Sequence, residues 1–147
     1  MARRSKAREL ALQMLFQIDV NSDVDAKVVR SMIDEQLRDD AIRSFCWELF
    51  AGVMEYKRAL DERIMSVAEN WALSRMAPTD RNVLRLGAYE LLYTQTPHRV
   101  AIDEAIELAR KFGSAQSAPF VNGLLDQLIP GHEKSGHESP PTDQIDP

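Results

Sequence analysis

The stretch Arg99-Val-Ala-Ile-Asp-Glu-Ala-Ile-Glu-Leu-Ala-Arg-Lys-Phe-Gly-Ser-Ala-Gln-Ser-Ala-Pro-Phe-Val-Asn-Gly-Leu-Leu-Asp126 decides the fold class. Ile102, Ala105, Ile106, Ala109 and Phe112 recur at helical spacing. Asp103 and Glu104 fall in the first turn and Arg110 and Lys111 in the last, as the helix dipole favours. Gly113, free to take a positive φ, is the expected stop. Ser117 is the expected N-cap of a second helix, with Pro119 in its first turn and an apolar stripe of Phe120, Val121, Leu124, Leu125 and Leu128. The stretch therefore predicts a helical hairpin.

Upstream, Asp80 to Tyr93 is apolar on nearly every side, through Val83, Leu84, Leu86, Gly87, Ala88, Tyr89, Leu91 and Leu92, and so belongs in the centre of a bundle. Arg85 and Glu90 interrupt that surface at i, i+5, too far round to pair, so each requires a partner on another helix. Pro78 marks the boundary before this helix and Thr79 is placed to cap it. Further back, a stripe of Ile42, Phe45, Cys46, Leu49, Phe50, Val53 and Met54 changes phase across Tyr56-Lys57-Arg58. A second stripe of Leu60, Ile64, Val67, Ala68 and Trp71 follows, so a kink or a helix junction is expected there. Gly52 is open to two readings, a close helix contact or a tolerated glycine. Earlier still, a helix from about Asp25 to Leu37 carries Val28, Val29, Met32 and Ile33. The first helix carries Ala7, Leu10, Ala11, Met14, Leu15 and Ile18, with Glu9, Gln13 and Gln17 on another face. The expected fold is all-α, a compact bundle of about seven helices spanning residues 1–130. Residues 131–147, with three prolines and two glycines, read as a disordered polar tail.

The 147 residues are 44% hydrophobic, enough for one core. No apolar run reaches a membrane span and no secretory h-region opens the chain, so a cytoplasmic protein is expected. Cys46 is the single cysteine and its apolar neighbours mark a buried thiol. The His132 and His137 pair lacks a rigid frame, and no metal or cofactor is expected. No phosphate loop, nucleophile elbow or strand alternation is present, and an enzyme is not expected. The net charge of −5 conceals a division: Arg3, Arg4, Lys6 and Arg8 open the chain without an acid, and the other 139 residues carry 14 bases against 23 acids. A cationic surface for a polyanion and an acidic one for another partner follow, unless the basic terminus is merely solvated.

Four strings carry a resemblance: Ala7-Arg-Glu-Leu-Ala-Leu-Gln-Met-Leu-Phe16, Asn82-Val-Leu-Arg-Leu-Gly-Ala-Tyr-Glu-Leu91, Val100 to Gly113, and Phe120-Val-Asn-Gly-Leu-Leu-Asp126. In this order the chain resembles the NusB family of bacterial transcription antitermination factors, from residue 3 to about residue 128. The resemblance implies two three-helix subdomains. It also implies binding to the boxA element of nascent ribosomal RNA together with ribosomal protein S10 (NusE), in a complex with RNA polymerase that suppresses premature termination. The family's Arg-rich lead-in matches Arg3, Arg4, Lys6 and Arg8, with Ser5 interrupting the run. Phe16 stands where the family commonly has Tyr, and Gln116 where it is often acidic.

The candidate RNA contacts are those four cations, Gln13 and Phe16 on the first helix, and Gln116, Ser117, Phe120 and Asn122 around the last turn. Single-stranded RNA is held by charge on phosphates, amides on base edges and aromatic faces for stacking. Spacing alone leaves Phe16 and Phe120 as core or stacking residues, and Asn122 as a base reader or a backbone partner. Two other readings are a helical protein adaptor that does not touch RNA, and a relative of the N-terminal RNA-binding domain of ribosomal RNA cytosine methyltransferases. The short stretch after Pro130 argues against an attached methyltransferase domain.

Overall fold

The computed structural model describes residues 2–69 and 72–130; Trp71 and the expected tail lie outside them. Among the described residues there are seven α-helices: α1 Ala2–Val20, α2 Ala26–Gln36, α3 Asp40–Glu55, α4 Lys57–Val67, α5 Pro78–Tyr93, α6 His98–Phe112 and α7 Ser117–Leu128, with a 3-10 turn at Leu73–Arg75. Helices α1–α3 pack together, α4, α6 and α7 gather round α5, and α1 and α3 close against α5 so that one core runs through both groups. No helix among the described residues is long and apolar enough to cross a membrane.

Local chemistry sets most boundaries. Asp25 and Asp39 cap α2 and α3, their carboxylates accepting from the N–H of Val28 and Ile42, each at 3.1 Å. The phase change at Tyr56 is a real junction: Tyr56 ends α3 and precedes α4. Helix α5 starts two residues earlier than Thr79 as cap would require. Pro78 occupies the first turn, where its missing N–H costs nothing, and Ala77 precedes it without a side-chain cap.

The α6–α7 turn also departs from expectation. Gly113 ends α6 with φ −102° and ψ −161°, not in the left-handed region. Its requirement is for space: a Cβ would overlap the Ser117 hydroxyl and stand 2.7 Å from Ser117 Cβ and 2.8 Å from the Ala109 carbonyl oxygen. Ser117 is the first residue of α7, not its cap, and its hydroxyl turns back to accept from the N–H of Ser114 at 2.9 Å. That bond closes the turn tightly enough to exclude a side chain at 113.

From Asn82 through Leu91 every residue of α5 is buried. Its two charged interruptions find partners on other helices. Arg85 donates to both carboxylate oxygens of Asp61 on α4, at 2.8 and 3.2 Å. Glu90 accepts from Nε and Nη2 of Arg8 on α1, at 2.8 and 2.9 Å. At its other end α1 is fastened again, Asp19 accepting from Arg81 Nε at 2.8 Å and from Asn82 Nδ2 at 2.9 Å. Helix α1 is less amphipathic than its spacing suggests, because Leu12 is buried along with Ala7, Leu10, Ala11, Met14 and Leu15.

Partial burial alone would raise the pKa of Asp19, but the bonds from Arg81 and Asn82, with the charges of Arg85 and Arg81, outweigh it and hold the carboxyl below its ordinary 3.8. A depressed folded-state pKa contributes stability above the unfolded value and loses it as pH falls through the folded one. The stability gap between the parent and Asp19→Asn is therefore expected to be constant above about pH 5 and to narrow steadily below about pH 4. Urea titrations across that range measure it, and a gap that does not change with pH would remove Asp19 as an acid-sensitive fastening.

Candidate nucleic-acid interface

The basic lead-in divides once folded. Arg3, Arg4 and Lys6 are exposed on the first turns of α1. Arg8 is 2% exposed, held by Glu90, with Glu104 Oε1 3.7 Å from its Nη1. Burial draws the Arg8 guanidinium down; the Glu90 bonds and the charges of Glu90 and Glu104 more than reverse this and place it above the ordinary arginine value. It is a fixed interior cation, paired and out of reach of an external phosphate. Ser5, between the exposed cations, donates to both oxygens of Glu104 on α6, at 2.9 and 3.0 Å. The interruption in the basic run is thus a fastening point for the helix that carries it.

The first turn of a helix is an unfavourable place for cations, since the dipole's positive end is there. Two of the three are offset locally: Arg3 pairs with Asp39, and Arg4 lies 4.4 Å over the ring of Phe45. Arg3 and Lys6 line a shallow groove with Gln36, Leu37, Arg38, Asp39 and Ile42.

Gln13 and Phe16 line a second groove of about 370 Å³ with Met32 and Gln36 of α2, Thr79 of α5 and Phe112 of α6. Gln36 is common to both, so Arg3, Lys6 and the amide–aromatic surface form one continuous face. Gln13 is exposed and Phe16 half-buried, which gives the ring a packed edge and an open one. Lys111 crosses to Glu9 at 3.0 Å and fixes the end of α6 beside this face.

The remaining candidates sit at the start of α7. Gln116 and Asn122 are exposed, Phe120 is half-buried against the core, and Ser117 is 1% exposed with its hydroxyl committed to the turn. Ser117 therefore shapes the surface without being on it. Sequence reading missed Gln36, Arg38 and Phe112. Phe112 was assigned to the core stripe of its helix, and the end of α2 gave no signal beyond its polarity. Cys46 is fully buried and its thiol is pushed up to about 12 by burial, so it is inert packing.

Comparison with known proteins agrees with this architecture. The transcription antitermination protein NusB of Anaeromyxobacter dehalogenans is 46% identical over 131 residues, covering 88% of this chain and 92% of that one. The solved structure of T. maritima NusB superposes with a TM-score of 0.77 at 36% identity, covering 85% of this chain and 89% of the other. A solved structure of the antitermination factors NusB and NusE in complex with double-stranded RNA shares the fold, with a TM-score of 0.77 at 22% identity over 87% of this chain and 96% of that chain. The NusB family profile matches residues 5–130, almost the whole length over which the seven helices and both grooves are built, and the chain belongs to the NusB family.

Proposed function

We propose that this chain is an RNA-binding transcription antitermination factor. It binds boxA-type single-stranded RNA of nascent ribosomal transcripts together with ribosomal protein S10 (NusE), joins the RNA polymerase antitermination complex in the cytoplasm, and prevents premature termination without catalysing a reaction. The observation that carries the RNA part is the single face on which exposed Arg3 and Lys6 adjoin the Gln13–Phe16 groove through Gln36, with exposed Arg4 beside them at the start of α1. Phosphates pair with the cations, while Gln13 and the open edge of Phe16 meet bases. Gln116, Phe120 and Asn122 extend this reading onto α7, with Ser117 holding the turn beneath them. Kinship with proteins named for antitermination, and a shared fold with a NusB that was solved with NusE and RNA, support the biological setting.

The test is a polarisation titration with boxA-type RNA, with and without S10, at several salt concentrations. With a single-strand slope of about −0.7 per neutralised phosphate, replacing Arg3, Arg4 and Lys6 by glutamine should flatten the salt dependence by about 2. Arg8 is omitted from that count because it is interior. An unchanged slope would put the RNA on another face.

A further inference from the structure

Arg4 opens onto a third groove, distinct from the two that make up the proposed RNA face. It runs between the start of α1, the first half of α3 and the α5–α6 connection, and its lining includes Arg4, Phe45, Glu48, Tyr93, Gln95 and Thr96. Its most distinctive member is Tyr93, which is 42% exposed. That ring is not loose: it stacks on Tyr56 at 4.2 Å between centroids and 14° between planes, and Tyr89 lies 5.9 Å behind it. A rigid, wet aromatic face beside a cation is what unpaired bases stack on.

We infer that this groove is a nucleobase subsite: one unpaired base of the bound RNA stacks on Tyr93 while Arg4 takes a flanking phosphate. This rests on the RNA-binding reading above and extends the RNA path round the N-terminus of α1. The chemistry of the lining also states a preference. Glu48 is a carboxylate and repels phosphate, so the groove takes the base and not the backbone. A carboxylate accepts from the exocyclic amino groups of cytosine, adenine or guanine, which uracil lacks. The exposed Gln95 amide offers a donor and an acceptor to the base edge. Thr96 stiffens the connection, its hydroxyl donating to Glu90 Oε2 at 3.1 Å. Arg8 borders the groove from the interior only, its Nη1 held 3.7 Å from Glu104 Oε1.

The experiment titrates the full chain and its variants with a fluorescein-labelled boxA-type RNA at several salt concentrations. Tyr93→Ala should weaken binding by about fivefold or more with the salt slope unchanged, because stacking neutralises no phosphate. Tyr93→Phe keeps the face and should bind like the parent. Gln95→Ala, which leaves the tyrosine stack intact, should weaken binding by a smaller factor, and Glu48→Gln should erode discrimination against a uridine-only RNA. Full affinity in both Tyr93→Ala and Gln95→Ala would overturn the subsite while leaving the Arg3–Lys6 face standing. A loss confined to S10 binding would reassign the groove to protein and equally overturn it. Failure of the parent chain itself to bind RNA would remove the reading on which the subsite depends.

Discussion

Arg8→Met should cost about 3–5 kcal/mol of folding stability, the largest effect expected of any single charge in the molecule. The arginine and its partner Glu90 are each almost fully buried, and their bidentate bonds are what make the charges tolerable there. Removing the cation strands a carboxylate at 1% exposure, with only the Thr96 hydroxyl still donating to it. Replacing both ends with apolar residues avoids that penalty, so Arg8→Met with Glu90→Leu should recover most of the loss. Urea denaturation of the two single variants and the double variant measures the coupling. If Arg8→Met unfolds within about 1 kcal/mol of the parent, the pair is not buried in solution. The double variant has a second use, since its RNA affinity per folded molecule should equal the parent's if Arg8 serves only the interior.

Replacing Gly52 with leucine should be comparably damaging. A Cβ at this position would lie within the Tyr89 ring's envelope, 2.5 Å from Cε1 and closer still to Cζ and the hydroxyl. That ring is buried and stacked with Tyr56 and Tyr93, so it has nowhere to swing. Overpacking of this kind costs typically 1–3 kcal/mol for small insertions, and leucine at 52 should exceed about 3 kcal/mol. Even alanine should lose about 1 kcal/mol or more there, against the usual helix-propensity gain. Gly87 offers the contrast: its Cβ would meet a flexible methyl, Leu125 Cδ1 at 2.6 Å, and Ala105 Cβ at 3.3 Å. Gly87→Ala should therefore show no net gain and Gly87→Leu a clear loss. Thermal melts of the four variants rank them, and a Gly52→Ala protein more stable than the parent would refute the close approach of α3 to Tyr89.

Much of this was legible in the sequence because helices write their packing into spacing. The all-apolar surface of α5, the junction at Tyr56 and the need of Arg85 and Glu90 for outside partners were all readable from which residues recur and which interrupt. Arg8 was grouped with its charged neighbours, although it shares a face with Ala11, Leu12 and Leu15, the i+3, i+4 and i+7 positions that turn inward with it. Local charge counting hides such a residue; facial counting reveals it. The use of Gly113 and Ser117 was not legible. Their roles depend on how closely two chain segments approach within one turn, and glycine's freedom of φ was the wrong reason for the right residue. The candidate RNA residues were found as types, but their assembly was not readable. That Gln36 links two grooves, or that Tyr93 and Arg4 border a third, depends on helices far apart in the chain.

The two fastenings of α1 to α5 have a mechanical consequence. Arg8 and Asp19 are separated along the helix by about 16 Å, and their partners run in the opposite sense on α5. A screw motion that relieved one pair would tear the other, so α1 can neither slide along its axis nor rotate about it without breaking both. The ammonium and guanidinium groups at its tip are then carried like teeth on a keyed shaft, with their pitch set before any RNA arrives. On the proposed RNA reading the backbone that presents these side chains is ordered beforehand, so the ordering on association falls mainly on the side chains and the flexible strand.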